Sequence, residues 1–279
     1  LGSELLYIIK KMNCSLGTIE GCYNNTKIMA LGSHDMDITD MKAVKNTVSE
    51  FRPDIIINTA AYTNVDSCEK EKDIAFRINA LGARNVAIAA QEVNSKLVHI
   101  STDYVFSGDG SIPYREYDQA SPKSIYGKTK LLGEEYVREF CGRYFIIRTS
   151  WLYGKNGRNF VGTILRAAEE KEYLEVVDDQ TGSPTNAEDL AYHILKIAAT
   201  DEYGVYHCSG NGECSWYEFA LRILMLSGVD CPVKPIKTNR LDRAAERPAY
   251  SVMDNMMLRC TVGDRMRNWE EAIEHFLRG

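Results

Sequence analysis

The 279-residue chain carries 33 Lys and Arg against 39 Asp and Glu, a formal charge of −6, and is 44% hydrophobic and 26% charged. That is enough for one large domain or two small ones with a sizeable core, and the composition argues against disorder. Without a basic stripe, an apolar run of roughly 18 residues or a secretory signal, neither nucleic acid nor membrane is an expected partner, and the expected location is cytoplasmic.

Residues 1–6 (LGSELL) run straight into a helical pattern. Short apolar runs follow at 27–31 (KIMAL), 54–59 (DIIINT), 96–101 (KLVHIS) and 144–149 (YFIIRT), bounded by polar, Gly or Pro residues, and these predict strands. Between them, 40–51, 72–94 and 125–141 place apolar residues at helical spacing, as in Ala75, Ile78, Val86 and Ala90. Apolar strands alternating with helices predict a parallel sheet covered on both faces, so the expected fold class is α/β, doubly wound, of the Rossmann type. Beyond residue 150 the pattern loosens into a helix at 158–171, a strand at 173–178, a helix at 187–199, a strand at 204–208 and helices at 215–227 and 264–278. The expected division is 1–150, a dinucleotide-binding domain, and 151–279, a smaller α/β substrate lobe from which parts of 173–200 return to the main sheet.

Eight cysteines are scattered along the chain with no C-x-x-C spacing, the tightest pair being Cys208 and Cys214. Reduced, half-buried thiols are therefore expected, not disulfides or zinc ligands. The five histidines are equally scattered, with His99 inside an apolar strand, and no metal site is expected.

Ser101-Thr102-Asp103-Tyr104 closes one predicted strand, and Tyr126-Gly127-Lys128-Thr129-Lys130 opens a predicted helix. Tyr126 and Lys130 are four residues apart, so they project from one helical face a single turn apart. A neighbouring ammonium favours the phenolate and makes a phenol a better proton donor and acceptor near neutrality. Thr102 stands at the carboxyl end of a strand, where open α/β sheets bind ligands, and can hydrogen-bond the same substrate oxygen. Any single Tyr-x-x-x-Lys is common on exposed helices; its combination with a strand-end Ser-Thr in a doubly wound pattern is far more specific.

These residues resemble the extended short-chain dehydrogenase/reductase family, and within it the dTDP-4-dehydrorhamnose reductases. The likeness runs through Asp37-Ile38-Thr39, Asn58-Thr59-Ala60-Ala61-Tyr62-Thr63, Ile78-Asn79-Ala80 and Ser101-Thr102-Asp103-Tyr104-Val105-Phe106. It continues in Arg148-Thr149-Ser150-Trp151, Asn159-Phe160, Asp179-Gln180-Thr181-Gly182 and Arg247-Pro248-Ala249-Tyr250, and so spans essentially the whole chain. The resemblance implies hydride transfer from NADPH or NADH to the 4-keto carbon of a nucleotide sugar, dTDP-4-dehydro-L-rhamnose. Tyr126 would protonate the alkoxide, Lys130 would hold Tyr126 and the nicotinamide ribose, and Thr102 would orient the carbonyl. It places Asp37 and Ile38 at the adenine edge and Ala60, Ala61, Tyr62 and Thr63 along the adenosine and pyrophosphate. Asp103, Tyr104 and Trp151 would lie on the sugar, and Asn159 and Arg247 on the dTDP pyrophosphate. Arg247 is equally readable as a structural ion pair, and Trp151 as a core aromatic.

Gly32-Ser33-His34 stands where a carboxylate would select NADH or an Arg would attract NADPH, and the missing carboxylate leans the reading to NADPH. Two other readings stay open. A nucleotide-sugar dehydratase or epimerase shares the Tyr/Lys pair, although dehydratases carry Glu where this chain has Tyr104. A non-catalytic subunit like the methionine adenosyltransferase β-subunit shares the fold but need not keep Thr102, Tyr126 and Lys130. A homodimer is a possible assembly. Finally, a dinucleotide-binding domain is expected to open with a strand and G-x-x-G-x-x-G, of which Gly2 reads as the last glycine, so roughly 10–15 residues are expected to precede residue 1.

Overall fold

In a computed structural model, which describes residues 1–278, the first half of the chain alternates helices and strands as its pattern predicts. It runs through α1 (Gly2–Lys11), a small hairpin of β1 (Asn13–Cys14) and β2 (Gly17–Thr18), α2 (Met41–Phe51), β3 (Ile55–Asn58), α3 (Val65–Lys70), α4 (Lys72–Phe76) and α5 (Ala83–Glu92). Then come β4 (Lys96–Thr102), α6 (Ile125–Phe140) and β5 (Tyr144–Thr149). The second half adds β6 (Leu152–Tyr153), α7 (Phe160–Glu170), β7 (Leu174–Val177), β8 (Thr181–Gly182), β9 (Thr185–Asn186), α8 (Ala187–Ala198) and β10 (Gly204–His207). It closes with β11 (Cys214–Ser215), α9 (Trp216–Ser227), β12 (Val233–Ile236), α10 (Met256–Cys260) and α11 (Trp269–Arg278).

The main sheet has four parallel strands in the order β10-β5-β4-β3. Side chains alternate across it, as a pleat requires. Leu97 and Ile146 enter one core with Val44, Val86 and Val137 of α2, α5 and α6, while Val98, Phe145 and Ile147 enter another with Leu5, Ile8, Leu190 and Ile194 of α1 and α8. This is a doubly wound α/β fold. A third core, built on Tyr153, Ile164, Leu174, Phe219, Ile223 and Ile273, holds α7, α9 and α11 together. Within 173–200, α8 covers the main sheet, whereas β7 pairs with β12 in a separate ribbon.

Three sequence expectations change. Residues 27–31 form no ladder, and Ile28, Met29 and Leu31 are exposed. Among the described residues no strand runs beside this segment, and a strand exists only through the partner that takes its N–H and C=O groups. The helix expected over 72–94 is interrupted by a π-helical turn, Arg77–Gly82, that turns Asn79 inward. The last helix begins at Trp269 rather than 264, because the chain before it is held extended. There Arg267 pairs with Asp189 at 3.0 Å and Met266 is buried. The thiols also divide more sharply than expected: all eight are free, with Cys68, Cys141, Cys208 and Cys214 buried and Cys22 and Cys260 exposed.

Candidate active site

β4 carries Thr102 to its carboxyl end, where Thr102 and Asp103 are buried. The Thr102 hydroxyl donates to Asp103 Oδ1 at 2.9 Å and accepts the Tyr104 amide at 3.3 Å. Burial raises the Asp103 carboxyl to about 6, against the Ser251 and Thr102 hydroxyls. Opposite, α6 starts at Ile125, capped by Ser124, whose hydroxyl accepts the Gly127 amide at 3.1 Å. Only glycine allows this approach, since a Cβ at Gly127 would lie 2.1 Å from the Tyr104 carbonyl oxygen. The Tyr126 ring consequently meets Tyr104 edge-on, with ring centres 5.4 Å apart.

One turn further, Lys130 is 1% exposed. Its Nζ donates to the Ile100 carbonyl at 2.5 Å and lies 3.4 Å from His99 Nε2. Burial lowers its ammonium to about 8, with Glu134 opposing. The Tyr126 phenol is raised above its ordinary value by burial, with the Thr102 hydroxyl opposing. In this enclosed site desolvation therefore outweighs the lowering that the sequence argument assigned to the ammonium.

Behind these groups stands a fully buried ion pair. Arg148 of β5 reaches Glu134 of α6 through two bonds, Nε to Oε1 at 2.9 Å and Nη2 to Oε2 at 2.7 Å. Ser101 adds a hydroxyl to Glu134 at 2.6 Å, which fixes the residue before Thr102.

The residues expected on a dinucleotide gather beyond β3. Gly2 sits against Thr59, with 3.5 Å between a built Cβ and the Thr59 hydroxyl, so the start of α1 meets the end of β3. Ala60 and Thr63 are exposed, and Ala61 and Tyr62 partly so. This loop is held from behind: Asn79 Oδ1 accepts the Tyr62 amide at 2.8 Å, and Asn79 Nδ2 donates back to the Tyr62 carbonyl at 3.1 Å. Ile38 packs on Gly82, where a Cβ would come within 2.5 Å of its side chain. Asn85 holds the Ile38 and Thr39 carbonyls, and the Asp37 carboxylate takes the Thr39 amide at 2.8 Å. Small, exposed residues and an α1 N-terminus without a side-chain cap fit a dinucleotide laid across this rim.

On the other side, Trp151 has a left-handed φ of 47° and stacks on Trp216 at 3.5 Å, with its ring above Gly182. Arg247 donates through Nη2 to Asp66 at 2.7 Å, while its buried Nη1 has no partner. Arg247 lines a small cavity with Tyr104, Lys123 and Pro248. Asn159 is the cap of α7: its Oδ1 accepts the Gly162 amide at 3.1 Å and its Nδ2 donates to the Gly154 carbonyl at 2.8 Å. Sequence reasoning missed Trp216, His99, Glu134 and Arg148; a charged Glu and Arg on an apolar strand–helix pair was the available signal. Among the described residues no group of three or more His, Cys, Asp or Glu side chains could hold a metal, and no helix is long and apolar enough to cross a membrane.

The chain is similar to known proteins along most of its length. Residues 19–279 match the family described as RmlD substrate binding domain. The spore coat polysaccharide biosynthesis protein SpsK of Bacillus subtilis is 45% identical over 252 residues, covering 90% of this chain and 88% of that protein. A dTDP-4-dehydrorhamnose reductase from Clostridium acetobutylicum superposes with a TM-score of 0.92 at 42% identity, covering 99% of this chain and 94% of the other. The dTDP-4-dehydrorhamnose reductase of Bacillus anthracis, solved in complex with NADP, gives 0.88 at 47% identity and covers 91% and 90%. The chain belongs to the RmlD family, that of the dTDP-4-dehydrorhamnose reductases.

Proposed function

We infer that this chain is an NAD(P)H-dependent oxidoreductase that reduces the 4-keto group of dTDP-4-dehydro-L-rhamnose to give dTDP-L-rhamnose, a precursor of cell-surface polysaccharide. The carrying observation is that Tyr126 lies against the Thr102 hydroxyl while Lys130, one turn on, reaches the Ile100 carbonyl, both at the carboxyl end of β4, in a chain of this family. A bound reduced nicotinamide supplies the hydride for the 4-keto carbon. Burial keeps the Tyr126 phenol protonated well beyond neutral pH, so it is a proton donor to the oxygen that gains charge. Thr102, fixed by Asp103 and by the strand end, orients that oxygen. Lys130 sits behind, one turn from Tyr126, with donors left over for the nicotinamide ribose.

Gly2 and the 60–63 backbone take the pyrophosphate and adenosine in this reading, with Asp37 and Ile38 at the adenine. NADPH is the favoured reductant, because residues 32–34 bear no acidic side chain and Asp35 turns its carboxylate back onto the Gly32 amide at 2.7 Å. Tyr104 and the Trp151 face form the sugar floor, and the unpaired Nη1 of Arg247 is the donor for the dTDP pyrophosphate. Asn159, whose amide is engaged at both ends, acts there only by shaping the start of α7. Against a dehydratase stands Tyr104, an aromatic ring against Tyr126 where elimination needs a second carboxylate. Against a non-catalytic subunit stands the complete set of Thr102, Tyr126 and Lys130. The cytoplasm is the proposed compartment, and a homodimer, the commonest symmetric assembly, the proposed state. Purified protein given NADPH and dTDP-4-dehydro-L-rhamnose should lose nicotinamide absorbance only when the sugar is present. No sugar-dependent loss would refute the assignment.

A further inference from the structure

The short helix α3 follows directly on the rim at residues 60–63. Asn64 caps it by accepting the Ser67 amide at 3.0 Å, and the Cys68 thiol donates back to the Tyr62 carbonyl at 3.7 Å. The same helix reaches two further parts of the site. Glu69 Oε1 accepts the Ile125 amide at 2.8 Å, one residue before Tyr126. Asp66 reaches a distant part of the chain: its Oδ1 accepts the Ala245 amide at 3.1 Å, and its Oδ2 accepts Arg247 Nη2 at 2.7 Å.

Residues 241–249 form no helix or strand, so their backbone groups take partners from elsewhere in the chain. Lys123 pairs with Glu246 at 2.9 Å, but these side chains are 37% and 62% exposed, and such a pair is worth little. Asp66 holds more firmly, because it takes a main-chain amide on one oxygen and a guanidinium on the other, and the Arg247 side chain is only 9% exposed. A guanidinium is a rigid planar fork, so fixing Nη2 restricts where Nη1 points. Nη1 is left as a buried donor without a partner, in the residue that lines the small cavity with Tyr104. The Asp66 carboxylate also offsets the Arg247 charge, which taken alone would weaken the hold on an anion. That side chain is 39% exposed, so water screens its charge, whereas its two hydrogen bonds act locally; orientation therefore outweighs counter-charge.

We propose that Asp66 is a positioning residue which, by holding Ala245 and Arg247 together on α3, aims Arg247 Nη1 at the diphosphate of the nucleotide sugar. The role rests on the reading of Arg247 as the donor to the dTDP pyrophosphate. Asp66 acts through Arg247, so its loss weakens the hold on the nucleotide end and leaves hydride and proton transfer in the bound complex largely as they were.

The test is Asp66→Asn in the purified protein, which keeps the size of the side chain but has one acceptor oxygen for two donors. The Kd for dTDP alone, measured by calorimetry, and the KM for the nucleotide sugar should both rise about tenfold, the order for a hydrogen bond to a charged group. Turnover and NADPH affinity should be largely kept. Arg247→Lys should weaken dTDP similarly, and the double variant should bind it no more weakly than the weaker single, because both changes remove one interaction. Unchanged or tighter dTDP binding in Asp66→Asn would overturn the proposal, leaving the carboxylate as a counter-charge only. Losses that multiply in the double variant would show that Asp66 does not act through Arg247. A fall in kcat and NADPH affinity alongside that of dTDP would make Asp66 part of the frame of α3, and a wild-type protein that fails to bind dTDP would end the proposal outright. If the dTDP results hold but the wild type shows no sugar-dependent oxidation of NADPH, the reductase assignment fails and the positioning role stands.

Discussion

The Glu134–Arg148 pair offers a direct measure of how much the core under the site depends on charge balance. Neither side chain is more than 3% exposed, and two bonds of 2.9 and 2.7 Å join them. Glu134→Gln preserves shape and the capacity to accept from Ser101, yet leaves the Arg148 guanidinium buried without its counter-charge. The Phe106 ring, 5.2 Å away, and the buried His207 beside it then face the guanidinium. Breaking one partner of such a pair costs about 3–5 kcal/mol, a large part of the roughly 5–15 kcal/mol that holds a typical domain. Urea unfolding should therefore show the midpoint falling sharply. The double change Glu134→Leu with Arg148→Met removes both charges and should recover much of the loss, because the cost lies in the unpaired ion more than in the missing bond. A Glu134→Gln loss under about 1 kcal/mol, the range of a solvated pair, would refute the reasoning, as would a double variant as unstable as the sum of the singles. Since Glu134 favours the Lys130 ammonium, Glu134→Gln should also move the Lys130 titration below about 8.

Tyr126→Phe should lower kcat at least about 100-fold while NADPH binding, followed by fluorescence, is largely kept. Gly127→Ala drives a methyl into the Tyr104 carbonyl oxygen at 2.1 Å; α6 must retreat, and kcat should fall although Tyr126 and Lys130 are untouched. The lowered Lys130 sets a pH dependence of stability with a definite sign. Its native value of about 8 lies below the ordinary 10.5, so between these pH values the unfolded chain binds more protons and stability rises with pH. At about 1.4 kcal/mol per unit, Lys130→Met should remove roughly 3 kcal/mol of that rise in unfolding curves compared between pH 8 and 10.5. Equal slopes for variant and wild type would show that Lys130 is charged in the native state throughout.

The sheet and its coverage were legible because each strand carries its own instructions. Leu97 and Val98 are both apolar, and the pleat sends them to opposite cores, so only a sheet buried on both faces accommodates them. KIMAL at 27–31 has the same composition and forms no strand, since a ladder depends on a neighbour that composition does not specify. The π turn at Arg77–Gly82 was invisible for a related reason. Its apolar spacing is helical, and its cause is tertiary: Gly82 lies under Ile38, and Gly133 of α6 leaves 2.4 Å between a built Cβ and the Asn79 carbonyl. The many two-residue strands of the second half fall below the length at which alternation can be detected.

At the site, motif residues divide by whether their polar atoms are already engaged within the chain. Asn159 and Asp37 read as ligand contacts in sequence, but the first caps α7 at both ends of its amide and the second closes a turn on Thr39. Arg247 is half engaged, with Nη2 on Asp66 and Nη1 buried without a partner. A buried donor left in that state costs about 1–3 kcal/mol, more for a charged group, and a ligand that supplies the acceptor recovers it. Arg247→Lys should thus raise KM for the nucleotide sugar more than it lowers kcat, because a lysine ammonium cannot hold Asp66 and an added acceptor in the same forked geometry. A variant that lowers kcat with KM unchanged would assign Arg247 to the frame alone, with Asp66 as its only partner.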